Sequence, residues 1–197
     1  LRLRIRLALG TALGSFAALP ALAQNQPPAM PTQNDATIRV TEQGVGPTFS
    51  TANGGTRLNV NLLARNTVID WNGFNIPEQH RIHFQALGGN VAVLNRDVSP
   101  TSPSQLLGDL TSSSNVAVWV FNPNGILVGS RAAFNTGSLV LTTLEPNSDA
   151  FINNRSTYRL TGDAASAAGI TVQSGAELRV SGGNRGLVLV APKIEAN

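Results

Sequence analysis

The sequence predicts an all-β chain wound as a solenoid, a parallel β-helix, and two observations carry that prediction. From about Ala36 onward, short runs alternate apolar with polar residues, as residues 57–62 do, and Gly, Asn, Ser or Pro bounds each run. Such alternation is typical of strands with one buried face. The last third also repeats loosely, with strand-like runs at residues 169–172, 175–180, 186–190 and 192–196. This spacing favours stacked coils over a β-sandwich, which would need longer strands and hairpin signals.

The N-terminus has the three parts of a secretory signal peptide in order. A basic stretch at residues 2–6 is followed by an apolar run at residues 7–19, and Ala21 and Ala23 form an A-x-A site before Gln24. The apolar run is shorter than the roughly 20 residues that a membrane-spanning helix needs. We therefore expect the first 23 residues to be a signal peptide and the mature chain to begin near Gln24.

The charge balance argues against two classes of partner. The formal net charge is +3, but three of the 14 basic residues lie within residues 1–23, and the remaining basic residues equal the 11 acidic ones. A nucleic-acid-binding protein needs a basic stripe that displaces counterions, and a polybasic membrane patch needs a similar excess. The chain has no cysteine, so an exported fold takes no stability from disulfides.

The chain divides into a lead-in and one β domain after the signal segment. Residues 24–35 are polar and rich in proline, which predicts a flexible lead-in without a packed partner. The β domain runs from residue 36 to residue 197, where the strand rhythm stops without a capping element. Because an open solenoid end exposes unpaired backbone groups, we expect the natural protein to continue past Asn197.

Three segments within the domain carry specific structural predictions. Val116–Phe121 and Leu187–Val190 are continuous apolar runs, which predicts strands covered on both sides. Residues 104–110 follow a proline and predict a single helical turn.

One motif between two apolar strands predicts a rigid corner. It consists of Asn122, Pro123, Asn124, Gly125 and Ile126. A type I turn favours Asn at its first position, Pro at its second and Gly at its fourth. The Asn122 side chain can also bond to the backbone ahead of it. The sequence therefore predicts a tight turn that joins Val116–Phe121 to Ile126–Val128.

Other polar and aromatic side chains have competing interpretations. Five carboxylates could form a hydrolase or lyase site, namely Asp70, Asp97, Asp109, Asp149 and Asp163. No two of them are spaced to share a face, which favours turn-capping or solvated roles. His80 and His83 would point to opposite faces of a strand, so we do not predict a metal site. The aromatic residues could stack on sugars, but they lie in apolar strands and we expect core packing; they are Trp71, Phe74, Trp119 and Phe121.

Six motifs in order give the chain a family resemblance over residues 36–197. The first three are residues 68–76, which include Trp71 and Phe74, residues 82–85, and residues 93–98, in which Leu94, Asn95 and Arg96 are followed by an inserted Asp97. The last three are residues 103–110, which include Ser104, Gln105 and Gly108, the Asn-Pro-Asn-Gly-Ile motif at residues 122–126 with Gly129 after it, and residues 139–144. With these motifs the chain resembles the two-partner-secretion domain, also called the filamentous haemagglutinin N-terminal domain.

The resemblance implies a fold and a partner. The fold is a right-handed parallel β-helix with an N-terminal cap and a few strands outside the helix. The partner is an outer-membrane TpsB-type β-barrel transporter of a Gram-negative bacterium, which recognises the domain through periplasmic POTRA domains. The whole protein would be a secreted or surface-exposed adhesin or haemagglutinin, with no enzymatic activity and no cofactor. Export would depend on the corner at residues 122–126.

Two alternatives from other functional classes stay open at this point. A secreted β-helical enzyme that cleaves acidic polysaccharide would show a Ca²⁺-dependent activity. A glycan-binding adhesion module would bind its ligand when purified alone.

Overall fold

The computed structural model describes residues 28–40, 45–153, 158–162, 166–182 and 186–197. The predicted signal peptide, its cleavage residues Ala21, Ala23 and Gln24, and the first four residues of the lead-in, 24–27, therefore lie outside the described residues, as does Asp163. The rest of the lead-in is described, and the prediction that it has no packed partner is wrong there, because Met30 packs against the hydrophobic core and Pro31 is buried.

Short strands make up most of the described chain. The first nine are β1 (Ala36–Val40), β2 (Thr48–Ala52), β3 (Arg57–Asn61), β4 (Asn66–Trp71), β5 (Arg81–Gln85), β6 (Val91–Asp97), β7 (Ser104–Leu106), β8 (Asp109–Ser112) and β9 (Val116–Phe121). The others are β10 (Ile126–Val128), β11 (Ala133–Thr136), β12 (Ser138–Thr142), β13 (Glu145–Pro146), β14 (Leu160–Thr161), β15 (Gly169–Val172), β16 (Glu177–Val180), β17 (Leu187–Val190) and β18 (Lys193–Ala196). Among the residues that the structure describes, helical structure is limited to 3-10 turns at Gln33–Asp35 and Asn53–Gly55 and one α-helix, α1 (Ser148–Ile152). Within the described ranges, no helix has the length and apolar character needed to cross a membrane.

The strands stack into three parallel sheets, one on each face of a solenoid. Face 1 holds β4, β6, β9, β12 and β17, face 2 holds β7, β10, β15 and β18, and face 3 holds β3, β5, β8, β11 and β16. Each coil passes from face 1 to face 2 to face 3, and there are about five turns. The predicted all-β helical fold is confirmed. The antiparallel strands β1 and β2 cover the first coil on faces 1 and 3, and β13 pairs with β14 outside the helix.

Alternation along each strand produces the core, because side chains at every second position point inward. One inward column on face 3 contains Leu58, Ile82, Leu110 and Phe134, which are directly paired along the stack. Each of these side chains is at most 1% exposed. Burial of such a side chain contributes about 1.5–3 kcal/mol, so the stacked columns are the main source of stability.

The strand β9 is covered on both sides, as its continuous apolar run predicts. Its outward residues Trp119 and Phe121 lie under a second apolar cluster formed by α1 and the segment after it. The Trp119 ring centroid lies 5.6 Å from that of Phe151 and 5.4 Å from that of Tyr158. The aromatic residues of β9 therefore anchor an outer layer on face 1.

The prediction of two-sided coverage is wrong for β17. Leu187 is 42% exposed and Val188 is 44% exposed. Leu187 points inward beside Leu139, but no coil of the described chain packs on its open side. Val188 points outward, where α1 does not reach. A continuous apolar run in the sequence does not reveal whether a neighbouring coil covers it.

The predicted helical turn at residues 104–110 is wrong, because these residues form β7 and β8. Ser104–Leu106 pairs in parallel with Ile126–Val128, which satisfies its backbone groups in a sheet. The bend between the strands contains Gly108, where an added Cβ would lie 2.3 Å from Pro77 O. Backbone pairing with a neighbouring coil outweighs the weak helical pattern, and such pairing cannot be predicted from the local sequence.

Candidate functional site

The chain turns from face 1 to face 2 at residues 121–126, which we call the Asn122 corner. The backbone N–H of Gly125 donates to Asn122 O at 3.2 Å and closes the turn. Asn122 Oδ1 accepts from the backbone N–H of Asn124 at 2.7 Å. Gly125 has a φ of 118°, and an added Cβ would lie 3.2 Å from Gly169 O, so the position favours glycine. The structure has the tight turn that the motif predicts, between the two predicted strands.

The Asn122 side chain is fully buried and bonds to the preceding coil. Its Nδ2 donates to Asp97 Oδ2 at 3.0 Å, to Ser104 Oγ at 3.0 Å and to Ser102 O at 2.9 Å. Its Oδ1 meanwhile serves its own turn, so both ends of the amide have partners. Because a buried amide without partners is costly, this residue is specified by its surroundings.

Asp97 is the acceptor at the centre of this cluster and is only 1% exposed. Its Oδ2 accepts from the backbone N–H of Phe74 at 2.9 Å and from Ser104 Oγ at 2.7 Å. Its Oδ1 accepts from Ser99 N at 3.0 Å and from Ser99 Oγ at 2.6 Å. A buried carboxylate is tolerated only with donors of this kind. The carboxylate therefore joins the corners of three successive coils.

The importance of Asp97 was not predicted from the sequence, where this residue stands as an insertion in a motif and as a turn-capping candidate. Capping does occur, at the N–H of Ser99. The role of Asp97 in joining coils could have been found from the alternation of inward and outward residues, because Val93, Asn95 and Asp97 occupy successive inward positions of β6. A charged residue at an inward position indicates either a disrupted strand or a buried polar cluster.

The remaining residues of the motif differ in exposure. Pro123 is exposed, Asn124 is half-buried and Ile126 is buried. Asn124 Nδ2 donates to Ser99 O at 3.0 Å, which ties the turn to the loop of the preceding coil. The corner thus combines a buried polar interior with a small surface formed by its second and third residues.

Four other predicted residues lie in β4, β6 and the loop after β4. The indole N–H of Trp71 donates to Asn95 Oδ1 at 3.1 Å inside the solenoid, and Asn95 Nδ2 donates to Trp119 O at 3.1 Å. Phe74 is fully buried, and its ring centroid lies 5.8 Å from that of Trp71. Leu94 points outward into the cluster under α1. These side chains pack the coils and do not reach the solvent.

Arg96 points outward from face 1 and connects separate parts of the chain. Its guanidinium lies 2.9 Å from Asp70 Oδ1 and 2.6 Å from Glu145 Oε1, and it stacks over the Phe121 ring at 5.7 Å. Asp70 also pairs with Arg39 at 3.1 Å. The network joins the cap strand β1 and the outer strand β13 to face 1. Such partly exposed pairs contribute up to about 1 kcal/mol each.

Three further predicted residues lie around the bend between faces 2 and 3. The backbone N–H of Gln105 donates to Asn75 Oδ1 at 2.8 Å. Gly108 is closely packed, as described above, and an added Cβ at Gly129 would lie 2.8 Å from Leu107 Cδ2. These residues allow close stacking of coils. The structure therefore gathers only part of the predicted set at the Asn122 corner.

An open groove with a volume of about 520 Å³ lies beside the corner. Its lining includes Arg96, Pro100, Pro123, Asn124 and Pro192. The groove separates the corner from the outer strands β13 and β14. It makes the exposed part of the motif accessible from solvent.

The histidines do not form a common site. His83 Nδ1 lies 2.9 Å from Thr111 Oγ1, whereas His80 Nδ1 lies 2.9 Å from Glu78 O. Burial lowers the pKa of His83, and the positive charges of Arg57 and Arg81 lower it further. At neutral pH the imidazole of His83 is therefore uncharged.

Within the described part of the chain, the predicted carboxylates other than Asp97 have no catalytic arrangement. Asp70 is held by its ion pairs, Asp109 pairs with Arg81 at 2.6 Å, and Asp149 lies in the first turn of α1. Across the described ranges, no group of three or more His, Cys, Asp or Glu side chains could hold a metal ion.

Comparisons with known proteins agree on one family. A family model described as TPS secretion domain matches residues 32–197. The solved structure of the HMW1 secretion domain from Haemophilus influenzae has the same fold, with a TM-score of 0.56 and 24% identity, over 82% of this chain and 38% of that chain.

Two curated relatives match part of the chain. A heme/hemopexin-binding protein of Haemophilus influenzae strain Rd is 32% identical over 89 residues, which is 45% of this chain and 10% of that protein. A second heme/hemopexin-binding protein of Haemophilus influenzae is 32% identical over 75 residues, which is 38% of this chain and 8% of that protein. The matched region is therefore a small part of each relative.

Proposed function

The chain belongs to the family of TPS secretion domains, the secretion domains of TpsA-type exoproteins, and from that premise we propose that it initiates two-partner export by binding the POTRA domains of a TpsB-type transporter. The family match over residues 32–197 is the observation that carries this proposal. Family membership implies a secreted or cell-surface exoprotein of a Gram-negative bacterium and an interaction with a TpsB transporter.

The route that we propose begins with the signal peptide in residues 1–23, which directs the chain to the periplasm. The domain is recognised there, and the exoprotein passes through the transporter unfolded and folds outside. The absence of cysteine supports this route, because no disulfide can form in the periplasm and block a narrow pore. The formally neutral charge after residue 23 gives no support to a nucleic-acid partner.

The exoprotein that we propose is an adhesin or haemagglutinin and not an enzyme. Its specific activity would reside beyond this domain, since the chain matches only 10% of the length of the first relative. The name of that relative makes heme/hemopexin binding a second candidate for the exoprotein. Neither cleavage of a polysaccharide nor direct glycan binding by this domain is favoured by the comparisons.

The Asn122 corner serves export in two ways in this proposal. The buried amide of Asn122 and the carboxylate of Asp97 are needed for folding, because they join successive coils. The exposed Pro123 and half-buried Asn124 border the open groove, where a transporter domain can reach them. The two contributions can be separated by substitution, since one set is buried and the other borders solvent.

The test measures export in cells that contain the cognate transporter. We expect Asn124→Ile to reduce the exported protein to a small fraction of the parent level. Isoleucine cannot donate to Ser99 O, and its β-branched side chain is unfavourable in the turn. The matched control is Asn90→Ile, an exposed loop position in the opposite corner, which should export normally.

A second substitution distinguishes folding from docking. Pro123→Ala should leave the stability of the purified domain within about 1 kcal/mol of the parent. If export and cross-linking to the transporter then fall, the exposed part of the corner contacts the partner. Normal export of Asn124→Ile, or equal loss with Asn90→Ile, would refute the role of the corner.

A further inference from the structure

The motif of the corner contains a chemically labile bond. The chain has three Asn-Gly dipeptides, at residues 53–54, 72–73 and 124–125. Asparagine followed by glycine is prone to deamidation, because glycine lacks the Cβ that would hinder attack on the side-chain amide. Two of the three asparagines, Asn53 and Asn72, are exposed, whereas Asn124 is half-buried and is followed by a buried glycine.

The reaction requires both groups that the folded corner engages. The backbone nitrogen of Gly125 attacks Cγ of Asn124, a new C–N bond closes a succinimide ring, and the side-chain nitrogen leaves as ammonia with the proton from the backbone. Water then opens the ring to aspartate or isoaspartate. In the fold, the Gly125 N–H donates to Asn122 O at 3.2 Å and Asn124 Nδ2 donates to Ser99 O at 3.0 Å.

We propose that Asn124–Gly125 is a latent deamidation site that folding of the Asn122 corner protects and that becomes reactive when the chain is held unfolded. The neighbouring Asn122 is immune in either state, because Pro123 has no backbone N–H to attack its side chain. The motif therefore places an inert asparagine in the buried cluster and a labile one at its edge.

Deamidation at residue 124 would prevent the corner from forming. The product carboxylate has no donor for Ser99 O, and two acceptors would face each other. It would also place a second negative charge near Asp97, which already bonds to Ser99. If the export role proposed above holds, a chain that waits too long unfolded loses its competence to form the corner that export requires.

The experiment incubates the chain in mildly alkaline buffer, once folded and once in urea, and follows each asparagine by peptide mass spectrometry. In urea all three Asn-Gly sites should convert. In the folded chain Asn53 and Asn72 should still convert, while conversion at Asn124 should be at least about tenfold slower than in urea, since it requires local opening. Equal rates at Asn124 in both conditions would overturn the protection.

Refolding of the chain tests whether deamidation at residue 124 prevents the corner from forming. Because this assay contains no transporter, its outcome is independent of the export proposal. Chains aged in urea should refold only when residue 124 is intact. The variant Asn124→Asp should reproduce the loss, and the matched variant Asn53→Asp should refold like the parent. Refolding of Asn124→Asp with the yield and stability of the parent would show that the donor is dispensable and would overturn the consequence.

Discussion

Two corners of the solenoid change the direction of the chain by different means. The Asn122 corner is held by side-chain hydrogen bonds that reach across coils. The opposite corner, residues 62–65 and 86–90, leads from face 3 to face 1 and surrounds an open groove of about 600 Å³. There Leu63 is 44% exposed and Leu87 is 96% exposed. Buried side-chain contacts therefore specify the Asn122 corner much more closely than the opposite corner.

The difference follows from what each corner places inside. At the Asn122 corner, inward polar groups replace the apolar column, and each must find a partner from another coil. At the opposite corner the loops bulge into water, and the Asn115 side chain, which donates to Ala86 O at 3.4 Å and to Gly89 O at 2.8 Å, ties residues 86–90 to the next coil without a buried polar cluster. Substitutions should therefore be costly at the first corner and tolerated at the second.

The largest expected effect comes from Asp97→Ala. It removes the acceptor for Phe74 N–H, Ser104 Oγ and Asn122 Nδ2, all of which are buried. Asn122 Nδ2 keeps Ser102 O as an acceptor, whereas Phe74 N–H and Ser104 Oγ lose theirs. Each donor left without a partner costs about 1–3 kcal/mol, so we expect a loss of about 2–6 kcal/mol in the free energy of unfolding. Urea denaturation measures it, with the exposed Asp149→Ala as the control. A loss similar to that of the control would contradict the central role of this carboxylate.

A pair of glycine substitutions compares the two corners directly. Gly125→Ala introduces a Cβ at a φ of 118° and 3.2 Å from Gly169 O, which should cost about 1–3 kcal/mol. Gly88→Ala meets nothing within 4 Å in the opposite corner and should be neutral or stabilising by up to about 1 kcal/mol. Thermal unfolding of both variants tests the contrast. Equal costs would mean that the corners are equally constrained.

The sequence predicts the Asn122 corner well because its turn is specified by adjacent residues. Asn122, Pro123 and Gly125 each meet a local requirement of backbone geometry. The partner Asp97 is a different case, because its contacts come from other coils and no local pattern reveals them. The stacking of successive coils decides which residues of different loops come together at a corner.

The two structural errors have the same origin. Residues 104–110 were compatible with a short helix or with two strands, and pairing with Ile126–Val128 decided in favour of strands. Coverage of Leu187–Val190 depends on a neighbouring coil that its own sequence does not describe. The solenoid, in contrast, follows from a repeated local pattern, which is why the fold was predictable.

Substitution of an exposed leucine should have a smaller effect than Gly125→Ala. Leu87→Ser removes a side chain that is 96% exposed, so the free energy of unfolding should change by less than about 0.5 kcal/mol. Chemical denaturation provides the measurement. A destabilisation above about 1 kcal/mol would mean that the Leu87 side chain contacts other parts of the protein and is not surrounded by solvent.

The smallest expected effect is a dependence of stability on pH that originates in β5, the strand that enters the opposite corner. Burial and the charges of Arg57 and Arg81 lower the pKa of His83 below its ordinary value of 6.5, so the folded chain binds a proton there less readily than the unfolded chain. Stability from this group is therefore complete above pH 6.5 and falls as the pH drops from 6.5 to the lowered pKa of the folded state.

The variant His83→Gln isolates this contribution. Glutamine can retain a hydrogen bond to Thr111 but does not titrate, so the variant should lose less stability than the parent between about pH 8 and about pH 5. Denaturation curves across that range decide the matter. Parallel curves for variant and parent would mean that His83 titrates alike in both states. A difference confined to this range would show that protonation of His83 weakens face 3 in mild acid.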